Sequence, residues 1–149
     1  MFFSNQCPLQ SAFHNEDFGK LLLRVSLAGL MLFHGFHKLF YGIDFIHMLV
    51  QKAGLPDVLS YGVYMGELII PFLLILGLCT RVSAFIFGGT MFFATFLAFG
   101  AHWSELDPKT GGLMTELPLL FLFASLSIVF LGAGKYSLDA KWCRCSKNA

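Results

Sequence analysis

The chain has 149 residues, of which 56% are hydrophobic, 16% aromatic and only 13% charged; a soluble domain carries roughly 25% charge. Its net charge is +1 and its mean hydropathy +0.71. Eighteen phenylalanines cannot all hide in one small water-soluble core. The composition excludes a disordered or collagen-like chain, offers no basic face for nucleic acid, and leaves an integral membrane protein.

Residues 1–19 form an N-terminal tail with neither a basic start nor a long apolar core, so a cleavable signal is not expected. Four stretches then reach the ~20 apolar residues that a spanning helix needs: 20–40, 58–79, 82–102 and 113–131. The fold class expected is all-α, a four-helix transmembrane bundle over 20–132. Breaks fall at 41–57 (Gly42, Asp44, Gly54, Pro56), at the tight Thr80-Arg81 join, and at 101–112 (Asp107, Pro108 and a Gly-Gly pair). The tight join predicts an antiparallel hairpin of spans two and three. Gly132 and Gly134 end the fourth span before a basic tail, 133–149.

An even number of spans puts both tails on one side. That side collects Lys20, Arg24, Arg81, Lys135, Lys141, Arg144 and Lys147; the other has Lys38, Lys52 and Lys109. By the positive-inside rule both termini are cytoplasmic, with Arg81 an inner anchor. Close packing is expected from small residues four apart: Gly62 and Gly66, Ala84 and Gly88, Ala94 and Ala98. Pro71 should bend its helix; Pro118 lies in a first turn, where it is tolerated.

The cysteines carry little chemistry. Cys7, Cys79, Cys143 and Cys145 make no Cys-x-x-Cys pair. Cys143 and Cys145 are too few for a closed metal site, and Cys79, in an apolar run, reads as a small buried hydrophobe. No metal is expected. Haem is not expected either, since His34 and His102 differ in depth and no attachment motif is present.

Ionisable groups inside the spans are costly, about 2.5–3.5 kcal/mol each on insertion scales. His34 falls ~9 Å and Glu67 ~13 Å below the outer ends of their helices, counted at the helical rise. Lys38, His102 and Glu116 also lie toward the outer ends. The expectation is an outer-half cluster of His34, Lys38, Glu67, His102 and Glu116, with Arg24 continuing the same face of span one inward. Simpler readings stand beside it: Lys38 and Arg24 are placed to snorkel, and Glu116 suits a helix start. Glu67 is too deep to snorkel and must be protonated, paired or hydrogen-bonded.

The residues also carry a family resemblance. Leu-Leu-Arg opens span one and His-Gly-x-x-Lys closes it; a glutamate follows in span two, then Leu-Gly-Leu-x-Thr-Arg. Gly-Gly-x-x-x-Glu precedes span four and Gly-x-Gly-Lys-Tyr-Ser-Leu-Asp follows it. In order and spacing, over roughly 20–142, this resembles the DoxX family of small four-helix membrane proteins. The resemblance implies a quinone-linked accessory subunit of a redox system in a bacterial inner membrane, with Arg24, His34, Lys38, Glu67, Arg81 and Glu116 as the family's polar positions.

Three functions follow. In the first, a quinone or quinol binds in the outer half; His34 and Glu67 act as catalytic proton carriers, and Arg24, Lys38, His102 and Glu116 are ligand-binding. Met31, Met65, Phe72, Phe92 and Phe96 line its slot. In the second, the chain is a scaffold or assembly factor that docks a membrane protein partner or a second copy of itself. In the third it carries a small solute, although four helices without a repeat suit alternating access poorly.

Overall fold

The computed structural model describes residues 15–146; Cys7, Lys147 and the side chains of Cys143 and Cys145 lie outside the described residues. Helix α1 is Glu16–Tyr41. The Asn15 side chain accepts a hydrogen bond from the Phe18 N–H at 3.1 Å, with Glu16 and Asp17 in the first turn. A side-chain cap with carboxylates at the positive helix end is a strong start signal, and it moves the start ahead of the expected residue 20. The helix stops at Gly42, whose φ of +90° suits glycine.

The expected break at 41–57 contains a further helix, α2, Asp44–Lys52. Its nine residues are too short for a spanning template. Ile43 and Val50, on one face of it, are buried and hold it against the bundle.

Helix α3, Asp57–Leu76, is composite. A 3-10 turn (Asp57–Tyr61) and a short α segment (Gly62–Tyr64) lead into a π turn (Met65–Ile69) and then an α segment (Ile70–Leu76). The π turn has a local cause. Pro71 has no N–H, so the Glu67 carbonyl four residues earlier lacks its ordinary helical donor. The ladder widens ahead of it, and the Ile70 N–H bonds to the Met65 carbonyl. The irregularity expected at Pro71 therefore lies one turn earlier.

Gly77 and Cys79 both take the left-handed conformation (φ +69° and +45°) in the link to α4, Thr80–Phe99. Cys79 is exposed, not buried as its apolar setting suggests, because it occupies the turn that precedes α4. Gly100–His102 is a separate 3-10 turn, so α4 stops short of 102. The following loop is tied by the Leu106–Leu113 bridge and by the Thr115 hydroxyl donating to the Trp103 carbonyl at 2.7 Å. This delays α5 to Glu116–Leu131. A last helix, α6, is Leu138–Ser146.

The helices α1, α3, α4 and α5 form a ring in which α1 and α4 each pack on α3 and α5. Successive members run antiparallel: Gly66 meets Thr90, Gly88 meets Ser125 and Arg81 meets Gly132. The core contains Leu27, Ala28 and Met31 of α1, Ile70 and Leu74 of α3, Ala84, Phe87 and Met91 of α4, and Phe121 and Ile128 of α5. Outside it the surface stays apolar; Phe33, Phe40 and Phe130 are more than three-quarters exposed. Such a surface belongs against lipid. Helices α1, α3 and α4 are long and apolar enough to cross a membrane. Helix α5 is as apolar but has 16 residues, ~24 Å.

Candidate functional site

A cleft of about 620 Å³ opens between α2, α3 and α4. Its α4 wall is a stripe of Phe85, Ile86, Gly89, Thr90, Phe93, Ala94, Leu97 and Ala98, one helix face extending ~20 Å at the helical rise. Phe45, Ile46 and Leu49 line it from α2, and Ser60, Val63 and Glu67 from α3. The small side chains on this wall do not pack helices together. A Cβ at Gly62 or Gly89 would meet open space, and Ala94 and Ala98 are exposed. Gly66, by contrast, stands hard against Thr90.

The polar floor is an ion pair between Lys38 and Glu67. Lys38 is one turn from the end of α1, yet it does not snorkel outward. Helical side chains lean toward the N-terminus, which on α1 aims Lys38 into the bundle toward Glu67. The Lys38 backbone carbonyl also accepts from the Tyr64 hydroxyl at 3.4 Å. Glu67 is only 5% exposed. One carboxylate oxygen takes Lys38; the other, Oε2, has no partner among the described residues, and neither does the buried Ser60 hydroxyl. Unpaired buried oxygens cost about 1–3 kcal/mol each; these two are enclosed beside the cleft, and Arg24 Nε and Thr80 Oγ1 at the opposite end of the bundle are likewise buried without a partner among the described residues.

Of the expected outer cluster, the structure joins Lys38 and Glu67 and no other members. His34 is exposed and outside the cleft lining. His102 pairs with Glu105 at 2.5 Å in the loop after α4. Glu116 is exposed at the first turn of α5, its carboxylate lying over Gly112. The slot residues differ too: Met31 is in the core, and Met65, Phe72, Phe92 and Phe96 face outward. Ser60, Thr90 and the apolar face of α2 are the residues that sequence reasoning missed. The seven-residue spacing of Ser60 and Glu67, two helical turns, was the signal for the first.

Arg24 lies at the opposite end, fully buried. Its two terminal nitrogens donate to the carbonyls of Ala133 (2.7 Å) and Tyr136 (2.8 Å). Just beyond, the Asp139 carboxylate accepts from the Cys79 and Thr80 N–H groups at 2.7 and 2.8 Å, and the Asp139 N–H returns a bond to the Gly77 carbonyl. Burial pushes the Asp139 carboxyl up, but those N–H donors and the Arg24 charge outweigh it and hold it below the usual carboxylate range. Lys135 pairs with Asp17 at 3.3 Å. These contacts fasten the post-α5 turn to α1 and to the α3–α4 link; they form a structural latch remote from the cleft. Arg81, exposed on α4, rests against Gly132.

Lipid-facing helices around a cleft with a charged floor define a helical membrane protein. The DoxX family model matches residues 19–101, more than half of the chain, and the chain belongs to that family. An uncharacterized protein of Haemophilus influenzae is 34% identical over 123 residues, covering 80% of this chain and 87% of that protein. No solved structure matches. The family match contains Arg24, Lys38, Glu67 and the α4 wall, and ends before α5 and the latch turn.

Proposed function

We propose that this DoxX-family membrane protein binds a quinone or quinol in the α2–α3–α4 cleft, as an accessory subunit of a membrane redox system. The observation that carries the reading is an apolar cleft whose lining includes a largely buried ion pair, Lys38 with Glu67, beside two enclosed oxygens of Glu67 and Ser60 that have no partner among the described residues. Binding sites for small lipophilic molecules have this form, an apolar wall with few placed polar groups. Lys38 supplies a charged donor to a head-group oxygen, Glu67 holds or accepts a proton, and the α4 stripe receives the apolar body. A bound quinone supplies the two-electron chemistry. Arg24, His34, His102 and Glu116 take no part in this reading.

The same proposal includes α5 as a fourth span and both termini on the cytoplasmic side of a bacterial inner membrane, as the Lys and Arg distribution favours. It also includes association with a partner membrane protein or with a second copy of this chain.

Mass spectrometry of gently extracted protein tests the reading. Wild type is expected to retain a lipid-soluble quinone, and Gly89→Leu to lose it, because position 89 opens into the cleft without touching a neighbour. A wild type free of quinone that also fails to take up a quinone analogue overturns it. A stable partner chain without any redox ligand assigns a scaffold role instead.

A further inference from the structure

We infer that the cleft is selective for redox state and takes the hydroquinone head in preference to the quinone; this rests on the reading above. The donors and acceptors beside the cleft set this preference. Lys38 offers only donors, and one carboxylate oxygen of Glu67 already takes the ammonium. The Glu67 carboxylate, as the partner of the Lys38 ammonium, offers only acceptors, and its second oxygen, enclosed beside the cleft, has no donor among the described residues. Ser60, two turns away on the same face of α3, has an unpartnered hydroxyl that donates or accepts as required.

An occupant that completes this floor must therefore accept from Lys38 and donate to Glu67. A hydroquinone hydroxyl does both with one oxygen. A quinone carbonyl accepts only: it leaves Oε2 unpaired and sets its own lone pairs against a carboxylate. Hydrogen bonds to a charged acceptor are the stronger kind, so the difference should be tenfold or more in affinity.

The test uses a decyl-substituted benzoquinone and its hydroquinone, each measured by equilibrium dialysis against the full chain in lipid nanodiscs under argon, corrected with empty discs. The expected result is a dissociation constant at least tenfold lower for the hydroquinone. That preference should disappear in Lys38→Met/Glu67→Gln, in which no charge is left unpaired and the amide offers a donor to the quinone. Equal or tighter binding of the quinone by wild type overturns the selectivity and leaves the quinone site standing. A preference that survives in the double variant also overturns it. Binding of neither form overturns the site and the selectivity together.

Discussion

Gly35 of α1 stands directly against the backbone carbonyl of Glu67 on α3, the same carbonyl that Pro71 leaves without its helical donor. The two facts belong together. Pro71 frees the carbonyl of any tie to the helix ladder, and only a residue without a side chain lets the facing backbone approach so near. The pairing sets the depth at which the Glu67 carboxylate meets Lys38.

Gly35→Ala should therefore be costly although glycine is poor in helices. The added Cβ would collide with Glu67 backbone and lie 2.8 Å from Leu68 Cδ2, and overpacking of this kind costs roughly 1–3 kcal/mol. A lower melting temperature by circular dichroism in detergent is expected, together with weakened binding at the cleft. Unchanged stability would show that α1 and α3 are not held this close.

Arg24→Met tests the latch. It removes two charged hydrogen bonds to the Ala133 and Tyr136 carbonyls, worth about 1.5–3 kcal/mol each. Arg24→Lys should rescue little, because one ammonium does not reproduce the guanidinium fork. The expected readout is faster proteolysis after residue 132 with cleft binding retained. Loss of ligand without loss of protection would instead place Arg24 in the binding machinery.

Asp139 gives the latch a pH signature. Its carboxyl is held below the ordinary value of 3.8. A depressed carboxylate contributes stability that is complete above the unfolded pKa and lost as pH falls through the folded one. Wild type should thus lose melting temperature steadily below about pH 4, whereas Asp139→Asn should start lower at neutral pH and lack that component of the decline. Parallel curves for the two proteins would remove Asp139 from the acid response.

The helical class was legible in hydropathy, because ~20 apolar residues can satisfy their backbone in lipid only by spanning. Glu67 was legible for a related reason: a carboxylate at that depth demands a partner. Which partner was not legible. Counting the helical rise placed His34 nearer than Lys38 to the depth of Glu67, but rise ignores rotation, and His34 is exposed. Lys38, with a longer side chain leaning back along the helix, covers the difference in depth. The small residues misled in a similar way. Spacing alone does not say whether a glycine meets another helix, as Gly66 and Gly88 do, or lines a space, as Gly62 and Gly89 do. Helix α2 escaped because nine residues with two buried anchors leave too short a pattern to distinguish from a loop.

The ion pair itself supplies the last prediction. Breaking a buried pair by removing one partner costs about 3–5 kcal/mol, mostly from the stranded charge, whereas replacing both partners with neutral groups is far cheaper. Lys38→Met should accordingly destabilise more than Lys38→Met/Glu67→Gln. Glu67→Gln should be the milder single change, because Lys38 is partly exposed and regains water or headgroups once released. Denaturant unfolding of the three variants in mixed micelles measures the order. If the double variant is as unstable as Lys38→Met, the penalty does not come from a stranded carboxylate.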